Sequence, residues 1–482
     1  MEKLIHFTYR IFAAFFLMLA MGCEKFVDAG TPVTATVSDV VYSSDESATS
    51  VLTGLYTDIS AGDIVFPGTV SSLSLFLGLS ADELTLSPLG FEADREAYYT
   101  NSLGSNVSGF EYWKKFYGYI FRCNDAIENL NKVQNLTPAV KQQLLGEAAF
   151  MRAFLYFYLV NLYGDAPLVT STDYKATSSL ARSSKDDINK QIISDLRQAQ
   201  DLLSSDYLDG KLQPYTGGTE ERVRPTKWAA TAQLAREYLY TGDWQNAELQ
   251  STALINNQPL YDTVPLNEAF LKNNKEAIWQ LQSVSNGPTA NTFDAVTFII
   301  PPTGLSASNP VYLSDQLLNS FEPGDQRMLQ WVNSTDVSGT NYYYVYKYKE
   351  NQDGAPVTEY LTILRLGEQY LIRAEARAQL ANLSGADADL NVIRTRAGLP
   401  AYASVDKNSS LAAILHERQT ELFIELGARW LDIKRTATVD AIMPPVLAVK
   451  EPGLTWQSYK QWFPLPLSDL KNAPNIHQNA GY

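Results

Sequence analysis

Apolar residues recur at three- and four-residue intervals over long segments of this chain, and that period predicts amphipathic helices. Ser47–Ile59 puts Val51, Leu52, Leu55 and Tyr56 on one face, and Tyr112–Leu130 repeats the pattern. Thr137-Pro138 opens a longer helix, with Thr as N-cap and Pro at the first helical position. It runs through Leu144, Ala148, Met151, Leu155, Tyr158, Leu159 and Leu162 and stops at Gly164. A further helix starts at Ser184, with Asp187 three residues on in a capping-box-like arrangement. Its Ile188, Ile192, Leu196, Ala199 and Leu203 keep the helical period.

One helical pair has the marks of a repeat unit. Over Trp228–Pro259, Leu234, Ala235, Tyr238, Gly242-Asp243-Trp244, Ala247, Leu254 and Pro259 fall at tetratricopeptide spacing. In that motif large residues of one helix lock against small residues of the next across a tight Gly turn. Two later pairs read as degenerate copies: Leu364–Ala381 with Ala386–Ala397 joined through Ser384-Gly385, and Leu411–Leu426 continuing past Gly427 to Arg435. Generic helical hairpins are the alternative to repeats.

Between the helical blocks the period is lost. Residues 62–109 and 283–358 are rich in Gly, Ser, Asn, Pro and aromatics, with short strand signals at Ala277–Leu281 and Tyr342–Tyr346. Loops of such length are uncommon unless they carry function. The expected fold is mainly α: a tetratricopeptide-like helical-repeat scaffold supporting a long-loop, small-strand binding lobe. Residues 46–482 are expected to form one unit, with helical repeats at about 46–61, 110–260 and 360–436 and the irregular lobe at about 62–109 and 283–358.

The N-terminus reads as an address. An apolar run from Ile11 to Met21 follows Lys3 and Arg10; it is too short to span a bilayer, which takes about 20 apolar residues, and fits a secretory signal. It ends at Gly22-Cys23, which resembles a bacterial lipobox with Leu19 one position earlier than usual. The expectation is a signal peptide over 1–22 and lipid on Cys23, followed by a polar tether over 23–45; an ordinary cleavable signal with an incidental Cys is the alternative. The only other cysteine, Cys123, excludes a disulfide framework and reads as a packing residue.

Charge and composition narrow the function. With 53 acidic against 38 basic residues the chain carries −15, which repels a phosphate backbone, and no basic stripe interrupts it. Nucleic acid is therefore not the partner. Apart from the signal only His416 and His477 remain, far apart and without metal-type spacing. Asp387-Ala388-Asp389-Leu390-Asn391 opens like a calcium loop, but Val392 and Gly398 replace its Gly and Glu, so an exposed helix face is expected. No metal or cofactor is expected. GxSxG, Walker and GxGxxG motifs are absent, and Ser468-Asp469-Leu470-Lys471 matches SxxK in a context that suits a helix cap. Two carboxylates suffice for a glycosidase, but nothing singles out a pair. The expected protein is not an enzyme.

Several segments together resemble the RagB/SusD family of nutrient-uptake lipoproteins of Bacteroidota. They are Cys23–Asp28, Arg122-Cys123-Asn124, Glu147–Phe154 followed by Tyr163–Leu168, Arg224–Ala235, Arg365–Glu375 and Asn391–Leu399. Glu417-Arg418, Glu421-Leu422, Glu425 and Arg429–Asp432 follow, and Phe463–Pro466 with Asn475–Tyr482 close the pattern. Read from spacing alone, Glu417, Arg418, Glu421, Glu425 and Arg429 share one helix face and serve ion pairs between helices. The resemblance implies a SusD-like fold and a lipoprotein on the outer membrane that faces the exterior and caps a SusC-like TonB-dependent transporter. It implies an oligosaccharide ligand, or a peptide in RagB-like members, delivered without cleavage; a surface hydrolase is the remaining alternative. Sugar rings pack their C–H faces on aromatic planes while their hydroxyls take amide and carboxylate partners. The candidates are accordingly the loop aromatics Phe91, Tyr98, Tyr99, Phe293, Phe298 and Trp331, with Glu83, Asn101 and Asn291.

Overall fold

The computed structural model describes residues 40–60, 73–106 and 111–482. The expected signal segment and Cys23 lie outside them. Helix α1 (Asp45–Asp58) is capped by Ser44, whose hydroxyl accepts the Ser47 amide. Then come α2 (Leu73–Ser80), β1 (Leu84–Leu86), α3 (Ala93–Tyr99), α4 (Glu111–Lys132) and α5 (Pro138–Tyr163). Every residue of α5 from Gln143 to Tyr163 is buried. It packs against α1, α4 and α6 (Lys185–Leu202), and its buried charges are paired, Glu147 with Arg224 and Arg152 with Asp195. It stops at Gly164, whose φ of 74° excludes further helix; Thr137 makes no side-chain cap bond at its start.

The repeat unit forms as its spacing predicts. Helices α7 (Lys227–Thr241) and α8 (Trp244–Ile255) make a hairpin in which Gly242 adopts the left-handed conformation and Asp243 caps α8 by accepting the Asn246 amide. Leu234, Ala235, Tyr238, Ala247 and Leu254 are all buried. After β2 (Ala277–Leu281), α9 (Phe293–Phe298), β3 (Val311–Leu313), β4 (Val332–Val337), β5 (Thr340–Val345) and β6 (Leu361–Arg365), the helical stack resumes. Its members are α10 (Leu366–Gln379), α11 (Leu383–Arg396), α12 (Lys407–Glu421), α13 (Ala428–Arg435) and α14 (Val439–Lys450). Helix α8 packs on α10, and α10 on α11 and α12. The strands form antiparallel pairs only, β1 with β3, β2 with β6 and β4 with β5.

Four local expectations are corrected. Leu364 and Arg365 are strand, and Ser384-Gly385 sits inside the first turn of α11. The chain turns earlier, at Ala381 (φ 64°), and the Asn382 carboxamide caps α11 by accepting the Gly385 amide at 3.1 Å. The helix expected through Leu426 ends at Glu421, because Ile424, Leu426 and Gly427 all take positive φ. The supposedly exposed Asp389 is buried, its carboxylate accepting from Arg373 and Arg377. Finally, the first irregular stretch contains α2 and α3. Helix α2 has no amphipathic period because all eight of its residues are buried.

The break after α12 is filled by charge. Arg365 Nη1 donates to Glu276 at 2.9 Å and to Glu421 at 2.6 Å, while its Nε reaches Glu425 at 2.8 Å. Arg327 pairs with Asp325, Glu417 and Glu421, and Arg396 with Glu276 and Glu421. Lys347 Nζ donates to the carbonyls of Glu421 and Phe423, each at 2.9 Å, which α12 would otherwise use itself. Arg418 bonds Asp432, and Arg429 bonds Asp82. The ion-pair role expected of Glu417, Arg418, Glu421, Glu425 and Arg429 is therefore what the structure shows. They do not, however, share one helix face: Glu417, Arg418 and Glu421 lie on α12, Glu425 in the break and Arg429 on α13. Burial alone would raise the Glu421 pKa, but the guanidiniums of Arg396, Arg365 and Arg327 outweigh it and hold the carboxyl well below its usual range.

Removing one member of a buried ion network leaves the others uncompensated. Arg365→Met is expected to cost about 3–5 kcal/mol, read from urea denaturation. Glu237 on α7 presents the opposite case: it is 1% exposed, neither carboxylate oxygen has a partner, and burial pushes its pKa up to about 8 against the pull of Lys185. Between the ordinary carboxylate range and pH 8 the unfolded chain releases this proton while the folded chain keeps it, so stability falls as pH rises through that window. Glu237→Gln should leave the melting temperature unchanged at pH 4.5 and raise it at pH 8. An equal effect at both values would remove the protonation argument.

Candidate functional site

Six of the nine residues expected at the ligand surface turn inward. Tyr98 and Trp331 are fully buried: Tyr98 packs on Phe76 and Phe463, and the Trp331 indole N–H donates to the Leu266 carbonyl at 2.8 Å. Phe298 is 2% exposed in the main core. Asn101 donates to Ser80, and Asn291 receives the amides of Thr358 and Glu359 and donates to Pro356. Glu83 accepts the Ile424 amide at 3.1 Å, and burial with Asp82 alongside pushes its carboxyl up to about 8. None of the six has a surface to offer. Phe91 is 58% exposed, and Tyr99 and Phe293 are half-buried.

Around Tyr99 the structure assembles a strip of tyrosines. β1 and β3 pair with Thr85 opposite Tyr312; on each strand the flanking residues (Leu84 and Leu86, Val311 and Leu313) point into the core. Period-two alternation therefore turns Thr85 and Tyr312 outward together. The Thr85 side chain lies beside both Tyr99 and Tyr312. The Tyr312 ring meets Tyr342 of β5 edge-on at 5.2 Å, and farther along the same strand face Tyr344 meets Tyr346 at 6.1 Å. Burial, then the neighbouring Tyr312, pushes the Tyr99 hydroxyl up to about 12, so these rings are neutral hydrogen-bonding groups. Asp315 lies beside Tyr312 and Glu451 beside Tyr99.

The strip is held rigidly. Lys450 of α14 stands over the Tyr99 ring at 5.0 Å and donates to the carbonyls of Leu79 and Ala81. Ser314 donates from its amide to Glu83 O and from its hydroxyl to Asp82 O. The loop carrying Phe91 is clamped onto the segment that enters β3: the Ser87 amide donates to Pro310 O at 2.8 Å, and Arg95 donates to Gly90 O and Ala307 O at 3.1 and 3.0 Å. A side chain at Gly90 would put its Cβ 2.4 Å from Pro310. Phe91 is thus pinned beside the chain that leads to Tyr312.

Tyr312 and Tyr342 were not among the sequence candidates. The signal for Tyr312 was the alternation Val311-Tyr312-Leu313, too short to stand out, and Tyr342 lay in the strand signal without being assigned a role. Chemically the strip offers aromatic faces with hydroxyl and carboxylate rims. Among the described residues no cluster of three or more His, Cys, Asp or Glu could hold a metal ion. Cys123 is buried, and burial pushes its thiol up to about 12, away from nucleophile chemistry.

The chain as a whole is similar to known proteins. Residues 91–239 match a family described as starch-binding associating with outer membrane, and residues 332–482 match the SusD family. SusD-like protein P25 of Formosa agariphila is 23% identical across all of this chain and 99% of its own length. Surface glycan-binding protein A from Bacteroides uniformis superposes with a TM-score of 0.75 at 20% identity, over 90% of this chain and 99% of its own. A laminarin binding SusD-like protein does so with a TM-score of 0.72 at 22% identity, over 90% and 99%.

Because Arg95 alone ties the Phe91 loop to the carbonyl of Ala307, Arg95→Ala is expected to expose 87–97 to limited proteolysis while the melting temperature stays within about 2 °C. Cleavage at the wild-type rate would show that the Gly90–Pro310 contact suffices.

Proposed function

On the premise that the chain belongs to the SusD/RagB family, we propose that it is a surface glycan-binding protein that captures an oligosaccharide on the Phe91–Tyr99–Tyr312–Tyr342 strip. The observation that carries this reading is the convergence of three half-buried tyrosines from α3, β3 and β5 on one face, held by bonds that do not use up the rings. Flat faces accept the C–H planes of sugars, and the tyrosine hydroxyls, Asp315 and Glu451 meet their hydroxyls. The ligand is held and released without cleavage, then delivered to a SusC-like TonB-dependent transporter. The protein is anchored through lipid on Cys23 and faces the exterior of the outer membrane. The family description and the glycan-binding names of the two structural relatives support carbohydrate as the ligand class.

Calorimetry against soluble starch, laminarin and a panel of neutral oligosaccharides and short peptides tests the reading. Tyr312→Ala with Tyr342→Ala is expected to weaken the retained glycan at least tenfold, about 1.4 kcal/mol, with little change in thermal stability. Unchanged affinity in the folded variant would move the site off the strip, and peptide retention or released product would replace the reading. For the anchor, Cys23→Ala should leave the membrane fraction and lose palmitate labelling. Pull-down of the wild type under mild detergent should recover a large β-barrel protein.

A further inference from the structure

A groove of about 310 Å³ opens between the C-terminal end of α1, the 207–215 loop and the exit of β2, and it shares no residue with the tyrosine strip. That volume lies at the small end of the range for ligand sites, roughly 300–1,000 Å³, and suits a single six-membered ring. Its wall is preformed: Leu208 bridges Pro214, the Asp209 amide donates to Gln213 O at 2.8 Å, and the Asp209 carboxylate takes the amides of Lys211 and Gln213. On its floor the charge is matched, Arg224 Nη1 donating to both oxygens of Glu147 and Nη2 to Thr53 at 2.6 Å. Glu221 is the exception. It lies beside the Tyr360 hydroxyl, yet its buried Oε2 has no hydrogen-bond partner. Half-buried Tyr215 lies next to this carboxylate, and Val284, 49% exposed, forms the apolar rim with Gln282 nearby.

We infer that this groove is a second binding site, for one neutral sugar ring. The Glu221 carboxylate on the wall offers acceptor positions to a donor, the aromatic and apolar walls ask for a C–H surface, and the acidic wall turns away anions. A sugar ring presents all three properties at once: hydroxyl donors, an apolar face and no charge. The inference stands apart from the strip, because a chain that binds nothing at Tyr312 would keep the groove intact.

The test uses the full chain carrying Tyr312→Ala and Tyr342→Ala, which weakens the strip, and the groove substitutions below separate the two sites. Saturation-transfer NMR with millimolar methyl glucoside, methyl galactoside and methyl mannoside is expected to show transfer to at least one of them. Tyr215→Ala should reduce that transfer at least fivefold, and so should Val284→Trp, a rim substitution that fills the groove while leaving its buried residues in place. No transfer to any of the three glycosides overturns the inference, as does transfer unaffected by Val284→Trp in a variant whose circular dichroism is unchanged. Transfer to butylammonium in place of the sugars would assign the groove to cations and equally overturn it.

Discussion

Everything in the second half of the molecule depends on the chain breaking after Glu421, and that break is stable because buried charges occupy it. Three positive-φ residues interrupt what would be one helix through α12 and α13. The carbonyls so freed take Lys347, and Glu421 and Glu425 turn to Arg365 at the junction of β6 and α10. Arg327 and Arg396 bring in the segments after β3 and at the end of α11. A buried ion network of this kind is weak evidence for stability, since desolvation offsets much of the Coulombic gain. Its effect is geometric: each carboxylate has bonds only when every contributing segment is in place, so misregistered packing leaves charges stranded.

How far the sequence foretold this structure depended on the length of each signal. The long helices and the Gly242 turn were visible because many residues repeat one period. Helix α2 was not, because a segment buried on all sides has no polar face to reveal a period. The break in α12 was hidden for a related reason: Glu421 and Glu425 keep helical spacing although the backbone kinks between them to bring both onto Arg365. The ion-pair role of those residues was nonetheless legible from their charge and spacing.

The candidate surface was less legible. Loop composition singled out aromatics, but composition carries no direction. Tyr98 and Tyr99 are adjacent and chemically identical, yet one lies in the core between Phe76 and Phe463 and the other on the strip under Lys450. What separates them is the phase of a seven-residue helix, fixed by packing contacts remote in sequence. Trp331 is similar: its place beside Lys347 and Phe423 follows from the α12 break and could not be read before it.

The root of the strip joins residues far apart along the chain. Asp82 meets Arg429, Glu83 meets Ile424, Lys450 covers Leu79 and Ala81, Ser105 binds Gln478, and Trp113 binds Asp469. A chain delivered N-terminus first must therefore present the apolar α2 segment and the unmet carboxylates of Asp82 and Glu83 for nearly its whole length of synthesis before closure. Such long-range pairing slows folding and leaves sticky intermediates exposed. Kinetic escort, rather than final stability, is where a protein built this way is most vulnerable, and truncations of the last 60 or so residues should be lost to proteolysis before they are ever tested for affinity.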